Sequence, residues 1–268
     1  MSLTPILLFV ALGLATGVAA GLFGIGGGIL LVPGLTLIFG MLGLAPGLGV
    51  HMAVASSLAT VLFTSASSVY AHDRRGAVRW SVAALVTPGL LVGSWFGPRL
   101  AASLSGGVLS GIFAVFVFLS ALHLLYAPEP HIARDLPGWR GMSVFGVLLG
   151  TFSGVIGGGG AFLSIPFMIA CNVPIHTAVA TAAAFGFPIA FAGTLSNVYH
   201  GWGLAELPAS SLGYVYAPAL VAVGLASVLA APLGVRLAHG LDVAALRRLL
   251  AYFLMALGAY MFWRAFNV

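Results

Sequence analysis

The stretch Gly21-Leu-Phe-Gly-Ile-Gly-Gly-Gly28 decides the architecture, and a second copy, Gly154-Val-Ile-Gly-Gly-Gly-Gly160, follows about half a chain later. Each glycine costs a helix about 1 kcal/mol relative to alanine, so such a cluster is predicted to break any helix that passes through it. In a bilayer, a break is tolerated only where the freed backbone groups are buried in protein or line a wet cavity. Two breaks at membrane depth therefore indicate a binding site between two repeats.

The composition predicts an integral membrane protein. Of the 268 residues, 61% are hydrophobic and 6% are charged, and the mean hydropathy is +1.14. Too few polar side chains remain to cover a water-soluble surface. The 37 glycines suit close helix packing, whereas an outer-membrane barrel would show short segments of alternating polarity. We therefore predict an all-α, polytopic helical membrane protein.

The net charge of +5 is explained by membrane topology. The basic residues are all arginine and are scattered between apolar runs, which is typical of loops that flank membrane spans. Nucleic-acid binding would need a dense basic face, so no nucleic-acid partner is predicted and the lipid bilayer is the expected surroundings. The apolar neighbours of the single Cys171 favour an inert core thiol.

Ten apolar segments can be drawn, five on each side of a polar, proline-rich linker at 127–141. They predict a first membrane repeat at 1–126 and a second at 142–268, with about 8–10 membrane segments in all. The short segments 29–44 and 161–172 are candidates for half-helices. The ten segments span about 4–22, 29–44, 51–70, 80–100, 106–126, 142–157, 161–172, 176–199, 213–237 and 244–264.

The two halves match residue by residue, which indicates an internal duplication. His51-x-Ala-Val-Ala in the first half matches His176-x-Ala-Val-Ala in the second, and Gly97-x-Arg99-Leu matches Gly234-x-Arg236-Leu. At one constant offset, Gly17, Gly21, Gly24, Gly26, Gly27 and Pro33 fall on Gly150, Gly154, Gly157, Gly159, Gly160 and Pro166.

Arginine placement favours inverted copies. If residues 4–44 form a hairpin and the N-terminus is outside, each repeat crosses an odd number of times, and only Arg99 and Arg264 lie outside. If residues 4–44 crossed the membrane once, six arginines would lie on one side of the membrane and four on the other. One continuous helix of about 40 residues would also be about 60 Å long, whereas the hydrocarbon core is about 30 Å thick. We predict two inverted-topology repeats with glycine-broken or re-entrant helices. The arginines placed in the cytoplasm are Arg74, Arg75, Arg79, Arg134, Arg140, Arg236, Arg247 and Arg248.

The glycine clusters are the candidate substrate site. All acidic residues fall in predicted loops or at segment ends, whereas cation carriers usually keep a carboxylate inside the membrane. Half-helix N-termini and freed amides instead suit an anion. The alternative is that the glycines only let helices pack closely, although packing uses spaced glycines. The predicted contacts are Gly26, Gly27, Gly28, Gly158, Gly159 and Gly160.

Neutral polar side chains in the third segment of each repeat extend this candidate site. Ser57 and Thr60 lie on one helical face of the first repeat, and Thr181 and Asn197 lie in the matching segment of the second. Their hydroxyl and amide groups could replace water around an oxyanion. The alternative is that they bond to carbonyls of their own helix.

Two pairs of residues matched by the repeat carry further hypotheses. His51 and His176 could couple transport to protons; the alternative is an interfacial or backbone-bonded histidine. Arg99 and Arg236 could attract anions at the two mouths of the pathway, but snorkelling to the headgroups explains an arginine at a helix end equally well.

At the glycine clusters and the two His-x-Ala-Val-Ala segments, the chain resembles the TauE/SafE family of sulfite exporters, also called TSUP. The resemblance covers nearly the whole chain and is carried by Gly21 to Pro33, by Gly154 to Pro166 and by the start of each third segment. It implies a bacterial inner-membrane carrier of sulfur-containing anions such as sulfite, thiosulfate or organosulfonates. It also implies polar residues at Ser57, Thr60, Thr181 and Asn197.

We therefore expect a secondary transporter of a small sulfur-containing anion that works by alternating access, with no catalytic residue, no cofactor and no metal. One alternative is an intramembrane serine enzyme, but Gly150-Thr-Phe-Ser-Gly154 has the wrong spacing for a nucleophile elbow. The other is a metal carrier that uses histidines, against which the missing intramembrane carboxylates and the lone cysteine weigh. The direction of transport, the coupling ion and a homodimeric state are left open.

Overall fold

The computed structural model describes residues 3–23, 27–126, 136–238 and 243–266. Within them the chain forms ten helices and one short hairpin, which confirms the all-α prediction. Of the predicted linker, residues 127–135 lie outside the described ranges, and its last three residues begin a helix. The elements are α1 (Leu3–Phe23), α2 (Gly28–Met41), α3 (Gly49–Asp73), α4 (Trp80–Ala102), α5 (Gly106–Tyr126), α6 (Trp139–Ile156), α7 (Ala161–Ala170), α8 (Ile175–Gly201), β1 (Ser211–Leu212), β2 (Val215–Tyr216), α9 (Ala217–Ala238) and α10 (Val243–Phe266).

The chain is a multi-pass membrane protein. Among the described residues, five helices are long and apolar enough to cross a membrane: α3, α4, α5, α6 and α8. Large apolar side chains cover the outer surface, and Leu229 is 74% exposed and Leu148 is 65% exposed. A soluble protein would not leave so much apolar surface in water, whereas lipid tails accept it.

The predicted half-helices α2 and α7 are too short to cross alone. With 14 and 10 residues, they extend about 21 Å and 15 Å against a hydrocarbon core of about 30 Å. α2 is buried almost all round, while α7 buries one face through Ala161, Ser164 and Met168. The two short helices therefore begin inside the protein, at the buried Gly28 and Ala161, and α2 is the more deeply enclosed.

Two glycine-lined pairs of helices join the halves of the chain. A Cβ added to Gly97 of α4 would lie 2.6 Å from the carbonyl oxygen of Thr151 in α6, and Gly89 faces Ser143 of the same helix. The numbering rises together on both helices, so α4 and α6 are parallel. α1 packs on α9 in the same way, because Gly13 faces Val223 and Ala226, and Gly17 faces Ser227.

Equivalent helices of the two repeats run in opposite directions where they touch. Leu58 of α3 meets Gly193 of α8, and Ser65 of α3 meets Gly186 of α8. The residue numbers rise along α3 as they fall along α8, so the two helices are antiparallel. α5 and α10 are also antiparallel, since Gly107 faces Ala265 whereas Gly258 faces Ala114 and Val117. A two-fold axis perpendicular to the helices relates such copies, which is the geometry of inverted repeats.

The hairpin between α8 and α9 corrects one predicted segment. We expected a continuous apolar segment over 213–237, but residues 211–216 form an antiparallel pair with Ser211 opposite Tyr216, and α9 begins at Ala217. Gly213, at φ 56°, turns the chain in a backbone conformation that favours glycine. The hairpin folds inward, because its Tyr216 ring lies 5.7 Å from the Phe39 ring of α2.

Candidate functional site

Both glycine clusters end in the same backbone geometry. Gly27 has φ 69° and ψ −17°, and Gly160 has φ 75° and ψ −6°; each immediately precedes a half-helix. These left-handed angles suit glycine, which lacks the Cβ that would clash. α2 therefore starts at Gly28 and α7 at Ala161, matching the half-helix starts predicted near Ile29 and Ala161. Gly26 lies outside the described residues.

The two breaks touch each other beside α3. A Cβ added to Gly28 would lie 2.9 Å from the Cα of Gly158 and 3.0 Å from the carbonyl oxygen of Gly157. Gly157, at φ 77°, is itself packed on α3, where an added Cβ would lie 3.0 Å from the Cα of Val54. The N-terminus of α2 therefore abuts the second break, and no side chain larger than hydrogen fits between them.

A cavity of about 20 Å³, enough for about one water molecule, lies at the second break. Three of the predicted contacts, Gly158, Gly159 and Gly160, line it, and a Cβ on Gly158 would meet nothing within 4 Å. The other lining residues are Ile29, Phe116, Phe152, Ser153, Ile156, Ala161, Phe162 and Leu163.

The cavity is bordered by backbone N–H groups that have no acceptor in the described part of the chain. The amides of Leu163 and Ser164 donate to the Gly160 carbonyl, and those of Gly157 and Gly158 donate to Ser153. The four amides between them, at residues 159–162, make no recorded hydrogen bond, and no side chain caps the helix. N–H groups at the positive end of a helix dipole suit a negatively charged ligand, and binding of an anion at the N-terminus of α7 stays a prediction.

Ser153 is a cavity residue that the sequence analysis missed. It is 3% exposed and lines the cavity, and a Cβ on Gly160 would lie 3.1 Å from its Oγ. The Oγ has no hydrogen-bond partner among the described residues. A usable signal was present, because Ser153 is a polar residue in an apolar segment one position before the glycine cluster.

The four polar residues predicted in α3 and α8 are all buried and already hydrogen-bonded. Only Ser57 reaches a break, where its Oγ donates to the Gly157 carbonyl at 2.8 Å. Thr60 Oγ1 donates back to Ser56 at 2.8 Å, and Asn197 Nδ2 donates back to Gly193 at 2.8 Å. Thr181 Oγ1 accepts a hydrogen bond from the N–H of Arg79. None of the four lines the cavity, and their contact with substrate stays a prediction.

The matched histidines lie in different surroundings. His51 is 5% exposed, and its Nε2 lies 3.0 Å from the Ala101 carbonyl oxygen and 3.2 Å from that of Leu104. Its Nδ1 is buried with no partner in the described structure, and its ring stacks on Tyr214. His176 is exposed at the start of α8. The two backbone carbonyls beside Nε2 fit the alternative in which His51 is a backbone-bonded histidine. Proton coupling through His51 or His176 stays a hypothesis.

The arginines predicted at the mouths are only partly described. Arg99 is exposed in the last turn of α4, a position that fits both anion attraction and contact with lipid headgroups. The side chain of Arg236 lies outside the described residues. Arg264 instead points inward, and its Nη1 donates to the Thr36 carbonyl at 3.2 Å and to the Tyr260 hydroxyl at 3.3 Å. Arg264 therefore ties α10 to the far half of α2.

Comparison with known proteins assigns a family. The family described as sulfite exporter TauE/SafE matches residues 9–261. A probable membrane transporter protein of Haemophilus influenzae is 28% identical over 260 residues, which cover 97% of this chain and 98% of the relative. One from Methanocaldococcus jannaschii is 29% identical over 269 residues, covering 97% and 95%. No solved structure matches the chain. The chain therefore belongs to the TauE/SafE family of membrane transporters.

Proposed function

We propose that this membrane transporter carries, across the bacterial cytoplasmic membrane, one or more of the small sulfur-containing anions sulfite, thiosulfate and organosulfonates. The observation that carries the proposal is a run of four amides, at residues 159–162, that have no hydrogen-bond partner in the described ranges and that border a cavity with the buried Ser153. Backbone N–H groups at a helix N-terminus bind oxyanions without any charged side chain. The sulfite exporters after which the family is named support sulfur as the central atom.

The transport step follows from the repeat geometry. The cavity lies beside the contact of Gly28 with Gly158, so rocking one repeat against the other opens this contact first to one side and then to the other. A sulfur oxyanion is larger than the one water that the cavity holds. Binding therefore requires the aromatic wall of Phe116, Phe152 and Phe162 to move away from the glycines.

The two other functional classes are less well supported. An intramembrane serine enzyme needs a general base within hydrogen-bond reach of its nucleophile, and the described structure records no hydrogen bond from Ser153 to a histidine. A metal carrier needs a group of ligands, and the described residues contain no group of three His, Cys, Asp or Glu side chains that could hold a metal ion. We propose a carrier that performs no covalent chemistry.

Reconstituted full-length protein tests this function. Proteoliposomes loaded with sulfite or methanesulfonate should release the anion faster than protein-free vesicles, while divalent metal ions should be retained. Gly158→Val is the variant of choice, because a Cβ at this position meets nothing within 4 Å and its branches extend into the space beside the glycines. We expect Gly158→Val to abolish release while the protein stays folded. Equal release from protein-free vesicles would refute the proposal.

Proton coupling is tested separately from the substrate. In the same vesicles an imposed pH gradient should change the rate of release of methanesulfonate, whose charge does not vary with pH, if His51 or His176 carries a proton. A rate that ignores the gradient, or that responds equally in the double variant His51→Gln/His176→Gln, would remove the histidines from the mechanism. Neither result would affect the anion site itself.

A further inference from the structure

Among the described residues that line the cavity at the second break, none has a titratable side chain. Ser153 Oγ is the only side-chain hydrogen-bond donor of this described lining, and the rest of its polar surface is backbone. The helices around the cavity carry their histidine, arginine and aspartate residues in their end turns: His51, His72 and Asp73 in α3, His123 in α5, Arg140 in α6, and His176 and His200 in α8. Of these, His123 contacts the wall, since its ring lies 5.5 Å from that of Phe162.

The positive charge at the site comes from two helix ends. α7 begins at the cavity, and α2 brings Ile29, its second residue, to the same cavity. Each helix N-terminus acts as roughly half a positive charge, so the two together offer about one unit. The cost of moving an ion out of water rises with the square of its charge, so a dianion pays about four times the penalty of a monoanion. A site with this charge is matched to a single negative charge.

We propose that the transporter accepts its substrate only as a monoanion, with Ser153 as the residue that donates the side-chain hydrogen bond. Sulfite is then carried as hydrogen sulfite, and an organosulfonate is carried as it stands, whereas doubly charged oxyanions, thiosulfate among them, are rejected. This proposal rests on the anion-transport function proposed above. The hydroxyl is present in one repeat only, because the offset that relates Gly27 to Gly160 places Ala20 opposite Ser153.

Anions of fixed charge test the selectivity. Methanesulfonate is a monoanion and sulfate is a dianion throughout the neutral range, so their charges do not change with pH. In proteoliposomes we expect methanesulfonate to be carried at a rate independent of pH and sulfate to be excluded. Sulfite release at constant total concentration should rise as pH falls and hydrogen sulfite accumulates. Sulfate carried as fast as methanesulfonate would overturn the proposal and leave anion transport intact. Failure of all three anions would overturn both.

His123 is the competing origin of a pH effect. It contacts Phe162 and could change the cavity wall when it gains a proton, so His123→Phe is the decisive variant. We expect His123→Phe to keep the pH dependence of sulfite release. If that dependence disappears in His123→Phe, the pH effect belongs to the protein and the proposal fails.

The role of Ser153 has a matched control on α7. Ser164 is also fully buried, and its hydroxyl has no partner in the described structure, but it does not line the cavity. Losing a hydrogen bond to a charged ligand weakens binding about tenfold or more. We therefore expect Ser153→Ala to raise the methanesulfonate concentration for half-maximal transport by about tenfold, and Ser164→Ala to leave it unchanged. Equal effects of both variants, or no effect of Ser153→Ala, would remove Ser153 from the site.

Discussion

Ser57 Oγ donates a 2.8 Å hydrogen bond to the carbonyl of Gly157 and thereby joins the interior of α3 to the start of the second glycine break. Both groups are buried, so Ser57→Ala would leave a carbonyl without a partner, at a cost of about 1–3 kcal/mol in the free energy of unfolding. Thr60→Val is the control, because the Thr60 hydroxyl only donates to a carbonyl of its own helix. Chemical denaturation in detergent would measure both variants. Equal destabilisation would contradict the role given to Ser57.

Alanine substitutions at the breaks should separate backbone strain from empty space. Gly27→Ala places a side chain in a left-handed conformation without a clash, and this conformation costs about 1–2 kcal/mol. Gly160→Ala should cost more, because its Cβ would also lie 2.8 Å from Ile189 Cδ1. Gly158→Ala, where a Cβ meets nothing, should unfold at nearly the wild-type denaturant concentration. The reverse order of stability would show that α2 and α7 do not start at Gly28 and Ala161.

The parallel contact of α4 and α6 should not tolerate a methyl group. In Gly97→Ala the added Cβ would lie 2.6 Å from the Thr151 carbonyl oxygen, and overpacking of this kind costs about 1–3 kcal/mol. Gly111→Ala on α5 is the matched control, because its nearest neighbour would be 3.8 Å away and alanine favours a helix by about 1 kcal/mol. Thermal unfolding in detergent should therefore shift in opposite directions for the two variants.

Arg264 should hold the end of α2 that lies away from the break. Arg264→Leu removes the hydrogen bonds to the Thr36 carbonyl and the Tyr260 hydroxyl and leaves an apolar side chain between α10 and α2. We expect faster proteolysis or hydrogen exchange in residues 36–48, because the tether is gone. Tyr260→Phe removes one of the two bonds and should show a smaller increase. Unchanged exchange in Arg264→Leu would mean that packing alone holds α2.

Side-specific labelling tests the inverted topology. Single cysteines at Arg75 and Ala205, both exposed in loops, should react from opposite sides of the membrane in a Cys171→Ala background. These loops follow the equivalent helices α3 and α8, which run antiparallel in the structure. Labelling of both positions by the same impermeant reagent in intact cells would contradict the fold.

Much of the fold could be predicted because membrane segments are long and their pattern is strong. The predicted segments 51–70 and 106–126 correspond to α3 and α5, and the glycine clusters correctly marked where α2 and α7 begin. The hairpin at 211–216 was missed because Tyr214, Val215 and Tyr216 are apolar enough to read as the start of a spanning helix. Only their packing against α3 and α2 shows that they fold back as strands.

The side-chain contacts of the site could not be predicted, because hydroxyl groups of the same type have different hydrogen-bond partners. Ser57 bonds across to another helix, Thr60 bonds back to its own helix, and Ser153 faces the cavity. Sequence spacing places each on a helix face but does not say which partner is opposite. Likewise, His51 and His176 are equivalent by repeat, yet one is buried and the other exposed, since the hairpin covers only one of the two equivalent places.

The parallel pairs α1 with α9 and α4 with α6 have a consequence for biosynthesis. The ribosome releases α1 early, but its glycine-lined face must wait for α9, which is made near the end of the chain. The first repeat therefore cannot reach its final packing during synthesis, and Gly13 and Gly17 stay against lipid until the second repeat has been inserted. Insertion and assembly are separate events in this protein, and the halves produced as two polypeptides should still find each other in the membrane.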